Sequence, residues 1–192
     1  MLLNIISQGN PTEVVDYSGG ILTVSNNVVS YSAGASSAYK IACSEPTYTY
    51  TASNKYAEFT VDTLTSGSDL YLGISDEDKN PTTSPSSGKT YWLLRGDGNL
   101  YERVLGSFNA AGTGLSFAAG DVIGVLYDDQ KIYMRKNGGG WMDNSGGTTG
   151  NPATGANPTF TGLPEADTLQ YIVQSENNTA SWQVTADLFA SV

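Results

Sequence analysis

Three groups of residues in this chain carry side chains suited to chemistry. The first is a run of carboxylates, Asp76, Glu77 and Asp78, ahead of a loop rich in Pro and Ser. Two carboxyls facing each other across a cleft can hydrolyse a glycosidic bond. Adjacent acids on one loop do not meet that geometry, and no strand-like segment carries alternating acids, so a solvated acidic loop is the better reading. The second is Asp128-Asp129, oxygen ligands of the type a calcium ion takes. No third and fourth oxygen ligand follows at loop spacing, and Asp is favoured in turns for its own backbone hydrogen bonds. The third is a set of aromatics with one cation: Tyr91, Trp92, Arg95, Tyr101 and Trp141. Such side chains stack on sugars or anchor protein contacts, and they are the candidate binding residues. The aromatics also fill sandwich cores, and for any one of them the core is the preferred reading. Arg95-Gly96-Asp97 spells an integrin-type tripeptide, but Asp97-Gly98 favours a hairpin turn and coincidence is the preferred reading.

The chemistry that is missing narrows the choice further. There is no histidine, and Cys43 is the one cysteine. That removes the commonest general base and metal ligand. A His-based triad or a Cys/His zinc site cannot be assembled. We expect no enzyme, no catalytic residue, no cofactor and no metal. Nine basic against nineteen acidic residues give a net charge of -10. Without a positive patch, contact with nucleic acid is not expected. No apolar run reaches the length of a membrane-spanning helix, so no membrane insertion is expected. Met1–Ile6 is too short for a signal-peptide core and lacks a preceding basic residue, which predicts synthesis in a cytoplasm without standard export.

The 192 residues fit one domain. Charged residues make up 15%, against about 25% in ordinary soluble domains. Hydroxyls and amides therefore supply much of the polar surface. Helical periodicity is absent and strand signals recur. "KYAEFTV" places Ala57, Phe59 and Val61 on one face and Tyr56, Glu58 and Thr60 on the other. "ILTV", "TYTYT", "LYLGIS", "TYWLLR", "VIGVLY", "KIYMR", "LQYIVQS" and "ASWQVTA" read as further strands. "GDG", "NAAGTG", "DDQ" and the long "NGGGWMDNSGGTTGNPATGANPTFTG" read as turns and loops. Many short strands with turn signals predict an all-β antiparallel sandwich or barrel with negligible helix.

"GDVIGVLYDDQKIYMRKNGGGW", Gly120 to Trp141, resembles the hairpin of SPRY domains. The matching residues are Gly120, Asp121, Ile123, Gly124, Val125, Ile132, Tyr133, Met134, Lys136, Asn137 and Gly138. "KYAEFTV", "LYLGISD" and "YWLLRGDGNLY" resemble three further segments of the family, in the family's order. "NPATGANPTFTGL" resembles a loop of SPRY versions carried by bacteriophage virion proteins. The likeness runs from about Tyr17 to the end. Two positions depart from it: Ala57 stands where the family carries a bulky aromatic, and Met134 where it carries phenylalanine. Both imply local repacking of the interior. The resemblance implies a bent antiparallel β-sandwich of SPRY or concanavalin-like jelly-roll type, without catalytic machinery, that binds through loops at one edge.

On this basis residues 1–16 are expected to anchor and 17–192 to form the sandwich. The expected function is that of a phage virion structural protein: a head decoration, fibre or tail-associated adhesion module. It would be made in the host cytoplasm, located in the virion, and carried in multiple copies or as a homo-oligomer. Expected partners are other virion proteins through the N-terminal segment and a host-surface glycan or protein through the loops around 76–88, 96–101 and 138–158. Two alternatives stay open, a cellular SPRY adaptor for a short peptide and a carbohydrate-active sandwich protein. Trp141 follows Gly138–Gly140, which let the chain bend sharply. It either plugs the end of the sandwich or faces a ligand.

Overall fold

The structure is a computed structural model and describes residues 13–16, 22–34, 40–45, 48–49, 54–76, 91–104, 107–163, 168–175 and 179–188. Among these, regular structure consists of strands and two 3-10 turns, with no α-helix. One sheet runs β1 (Glu13–Asp16), β4 (Lys40–Glu45), β13 (Thr168–Ser175), β7 (Leu70–Asp76), β8 (Tyr91–Arg95), β9 (Asn99–Val104), β10 (Ser107–Thr113), with β5 (Tyr48–Thr49) also beside β13. The second runs β12 (Lys131–Lys136), β11 (Val122–Asp128), β6 (Lys55–Leu64), β14 (Trp182–Asp187), β3 (Val28–Tyr31), β2 (Thr23–Ser25). Every strand pair is antiparallel. The all-β sandwich expected from the strand pattern is the fold observed.

Alternation along the strands builds the core. β6 sends Ala57, Phe59 and Val61 inward, and β11 sends Ile123, Val125 and Tyr127. Leu70, Leu72 and Ile74 of β7 and Tyr171 and Val173 of β13 meet them from the other sheet. Phe59 and Tyr171 touch edge to face across the gap, with ring centroids 6.2 Å apart. Aromatic pairs of this geometry add to what area burial alone supplies. Ala57 and Met134 both lie opposite Val125, one on each neighbouring strand. The two departures from the family pattern therefore fall in one row of the core, and all three side chains are buried.

The outer faces are not uniformly wet. On the larger sheet Tyr71, Tyr91, Leu93 and Ile172 form a second buried cluster. On the smaller sheet Tyr56, Leu126 and Tyr133 form a third, with Trp141 packed against it. This explains why β8 and β11 read as continuous apolar runs: both of their faces are covered.

Two expectations need correction. Residues 13–16 belong to the sandwich: β1 pairs with β4 from Glu13↔Glu45 to Asp16↔Ala42, and Val14 lies in the core. The strand gains backbone hydrogen bonds and a buried valine, which a separate anchor would forgo. Residues 1–12 lie outside the described residues. "NAAGTG" is not a loop either, since Asn109–Thr113 continues β10 with a bulge between Ala110 and Gly112. Bulges suit edge strands, where small residues are tolerated.

The turns follow the expected chemistry. Asp129 and Gln130 both have positive φ, at 43° and 65°, and close β11 onto β12. That is the backbone a two-residue hairpin matched to strand twist requires.

Candidate functional site

The segment that follows β12, from Asn137 to Leu163, is the largest irregular piece of the described structure, and it is firmly built. It returns along the free edge of β12. Ile132 and Phe160 exchange backbone hydrogen bonds at 3.1 Å each, and the Met142 N–H donates to the Met134 carbonyl at 2.7 Å. The buried Thr159 hydroxyl accepts from the Met134 N–H at 2.9 Å and donates to the Met142 carbonyl at 2.9 Å. The Thr113 N–H donates to the Asn144 carbonyl, tying the segment to β10 of the other sheet. An edge that would otherwise expose its backbone groups is thus closed within the chain.

Asp143 organises the middle of this segment. Its Oδ1 accepts from the Ser145 N–H at 2.8 Å, the Ser145 hydroxyl at 2.8 Å and the Gly147 N–H at 3.0 Å. Its Oδ2 accepts from the Thr149 hydroxyl at 2.8 Å. The Ser145 N–H is the largest of several hydrogen-bond donors that hold the carboxyl well below the usual carboxylate range. A carboxylate so stabilised is a weak base, unsuited to proton abstraction at neutral pH. The Asn157 amide donates to the carbonyl and hydroxyl of Thr149 at 3.3 and 3.2 Å. Around these groups lies a hollow of about 320 Å³, lined by Asp143, Asn144, Ser145, Thr149, Asn157, Pro158 and Thr161. Among the described residues, no Lys or Arg lines it.

The aromatic candidates separate onto three surfaces. Trp92 is fully buried in the main core, so it is not available to a partner. The reason is register: along Tyr91–Arg95 the even positions Trp92 and Leu94 face the opposite sheet. Tyr91 points the other way but is only 3% exposed, inside the outer cluster, and it too presents almost no surface. Tyr101 and Arg95 lie together on this outer face. The Arg95 guanidinium stands 4.9 Å from the Tyr101 ring centre and 6.0 Å from that of Tyr71. It also pairs with Asp97 through Nε at 2.9 Å and Nη2 at 2.5 Å. The tripeptide Arg95-Gly96-Asp97 is therefore closed on itself. Asp97 titrates below its ordinary value: burial pulls it up, but the bonds from Arg95 and Asn99 outweigh that.

Trp141 sits on the opposite side of the molecule, on the outer face of the smaller sheet. It is half-buried, packed edge-on against Tyr56 and Tyr133 at centroid distances of 6.1 and 6.3 Å. The Arg135 guanidinium lies 4.6 Å from its ring centre. The ring thus neither plugs an end of the sandwich nor lines the hollow, although its backbone helps frame the loop through a bridge to Gly150. Gly138, with φ of +65°, makes the bend that returns the chain. The polar residues of the hollow were not singled out from the sequence. Their signal is weak: Asx and hydroxyl residues in a Gly-rich loop look like ordinary turn chemistry. Of the other loops expected to recognise a partner, 77–90 lies outside the described residues, and 96–101 forms the tight β8–β9 hairpin with Gly98 at φ +92°.

Among the described residues no group of three or more His, Cys, Asp or Glu is placed to hold a metal. No helix among them is long and apolar enough to cross a membrane.

Comparison with known proteins places the fold. The chain is similar to the SPRY domain of human HERC1, with a TM-score of 0.63 and 17% identity over 92% of this chain and 94% of that one. It is similar to a second human SPRY domain at a TM-score of 0.59 and 18% identity, covering 90% and 98%. It also resembles the carbohydrate-binding module CBM66 from Bacillus subtilis, at a TM-score of 0.52 and 7% identity over 93% and 97%. No family model matches the sequence, and no curated protein matches it. The likeness is one of fold: a SPRY-type sandwich, shared with a carbohydrate-binding module.

Proposed function

We propose that this chain is a non-enzymatic binding module, the SPRY-like domain of a bacteriophage virion protein, displayed as a head decoration, fibre or tail-associated unit and used to attach to a host surface. The observation that carries the binding reading is the Asn137–Leu163 segment. It is locked to both sheets by backbone bonds, yet it presents a hydrophilic hollow whose carboxylate is held in place by donors from its own loop. Rigid support for a polar surface serves recognition, because little ordering remains to be done on binding. The virion reading is supported by the likeness of "NPATGANPTFTGL" to loops of phage SPRY versions and by the surface rich in hydroxyls and amides. In this reading residues 1–12 make the contact with the particle, and copies of the module face outward. Two measurements test it together: detection of the chain in purified phage particles, and adhesion of the labelled protein to bacterial surfaces. Absence from particles removes the virion reading, and absence of adhesion removes the attachment reading.

A second reading, a peptide-binding SPRY adaptor, is favoured by the likeness to the SPRY domain of HERC1. Selection of one short motif from a displayed peptide library, without adhesion to any bacterial surface, would favour it.

A further inference from the structure

We infer that the hollow in the Asn137–Leu163 segment is a saccharide subsite that takes one uncharged sugar unit through hydrogen bonds. The inference rests on the binding-module reading and specifies its ligand.

Four features select this chemistry. The first is the balance of donors and acceptors. Asp143 Oδ2 receives one hydrogen bond, from Thr149, and keeps acceptor capacity. The Asn157 amide nitrogen is committed to Thr149, which leaves its carbonyl oxygen to accept. Asn144 and Thr161 are exposed, and their side chains make no hydrogen bond among the described residues. Together these supply both donors and acceptors, as a vicinal diol requires, since each sugar hydroxyl both gives and takes.

The second is charge. Among the described residues the lining holds a carboxylate and no cation, within a chain of net charge -10. Phosphorylated and sialylated ligands are repelled. The third is that the carboxylate is already surrounded by N–H and O–H donors. Three of the four donors sit on Oδ1, which leaves Oδ2 as the one carboxylate oxygen with capacity to spare; a calcium ion takes roughly six to eight oxygen ligands, commonly from several carboxylates, which argues against a cation as the occupant. The fourth is size and polarity. About 320 Å³ is at the lower end of the roughly 300–1,000 Å³ of small-molecule sites, enough for one ring. Only Pro158 is apolar, so neither a lipid nor a hydrophobic peptide anchor is accommodated.

Among the described residues the lining contains no aromatic platform. A single copy is therefore expected to bind in the millimolar range, about -4 kcal/mol. Display in many copies would raise the effective affinity by roughly 10²–10⁴.

The test is titration of the full chain, followed by amide NMR, with glucose, galactose, mannose and N-acetylglucosamine. Sialic acid, glucose 6-phosphate and calcium chloride serve as the competing chemistries. We expect one neutral sugar to bind with millimolar Kd and to shift the amides of Gly147 and Thr149. The double variant Asn144→Ala/Thr161→Ala should weaken it roughly tenfold, about 1.4 kcal/mol, with Tm unchanged, because both side chains are exposed. Failure of all four sugars at tens of millimolar, preference for the anionic sugars, calcium binding at these residues, or undiminished binding by the double variant each overturns the inference. Adhesion of labelled protein to cells separates the two levels. Adhesion that survives the double variant leaves the module reading intact and removes the hollow from it. Absence of adhesion in the wild type removes the attachment reading on which the inference rests.

Discussion

The guanidinium of Arg135 lies between two rings, 4.6 Å from the centre of Trp141 and 5.0 Å from that of Tyr56. Its Nε donates to the Tyr56 hydroxyl at 3.0 Å, and that hydroxyl donates to Glu58 at 2.6 Å. Burial, aided by the bond to Glu58, pushes the Tyr56 hydroxyl up to about 12. Trp141 is thus held from three sides by residues of β6 and β12, which makes it a clamp between the loop and the sheet.

Removing either partner should loosen that clamp. Trp141→Ala is expected to cost about 2 kcal/mol, less than the roughly 3–5 of a fully buried aromatic, because the ring is half-exposed. Arg135→Ala should cost about 1–2 kcal/mol. In a double-mutant cycle read by urea unfolding, the two should couple by about 0.5–1 kcal/mol. Strict additivity would show that the stacking contributes nothing.

Gly124 lies beneath the Tyr56 ring. A Cβ built there would stand 2.2 Å from the Tyr56 hydroxyl oxygen and 2.9 Å from ring carbons. Gly124→Ala should therefore destabilise by about 1–3 kcal/mol through overpacking. In a Tyr56→Ala background most of that loss should vanish. An equal loss in both backgrounds would locate the cause elsewhere.

Acid should weaken the fold through three aspartates. Asp143 is held low chiefly by the Ser145 N–H; for Asp97 and Asp121 burial acts upward, but Arg95 and Asn137 respectively lead the bonds that overcome it. Unfolded Asp titrates near about 3.9. Between that value and the lower folded ones, the unfolded chain takes up protons that the folded chain refuses. Stability should hold above pH 5 and fall as pH drops below about 4. Because the chain lacks histidine, Tm should be nearly flat from about pH 6 to 8. Asp143→Asn should reduce the slope of Tm on the acid side, and an unchanged slope would contradict this account.

Asn137 spans the base of the β11–β12 hairpin. Its Oδ1 accepts from the Val122 N–H at 2.8 Å, and its Nδ2 donates to Asp121 at 2.7 Å. Asn137→Asp exchanges that donor for a second carboxylate. The backbone is not the issue, since φ of 53° is one that Asp tolerates. Tm should fall at pH 7, corresponding to about 1–3 kcal/mol, and recover partly near pH 4 as one carboxyl takes a proton. A variant equally unstable at both pH values would show that the repulsion is not responsible.

Strands with two unlike faces were legible in the sequence. β6 reads correctly residue by residue because Glu58 and Thr60 mark its outer side. β8 does not, since Tyr91, Trp92, Leu93 and Leu94 are all buried and alternation carries no sign of which face is which. That is why Trp92 stands among the candidate binding residues although the core is its preferred place. β1 and β4 were passed over because "EVVD" and "KIACSE" are short and carry charges at their ends. β10 was hidden because Asn, Ala and Gly are poor strand formers that an edge position tolerates. The hollow depends on Asp143 meeting Ser145, Gly147 and Thr149 within seven residues, a fold of the loop on itself that spacing alone does not announce.

The sealing of β12 by the chain that follows it also has a kinetic meaning. β11, β12 and the returning loop are neighbours in sequence, whereas β6 pairs with β14 and β13 with β4 across long stretches of chain. Short closures cost less entropy and are reached sooner. Residues 120–163 can therefore close into a small cooperative unit before the termini meet. In the folded protein its interior amides, such as those of Ile132 and Met142, should be among the slowest to exchange with solvent, so that the surface offered to a partner rests on the part of the molecule that opens last.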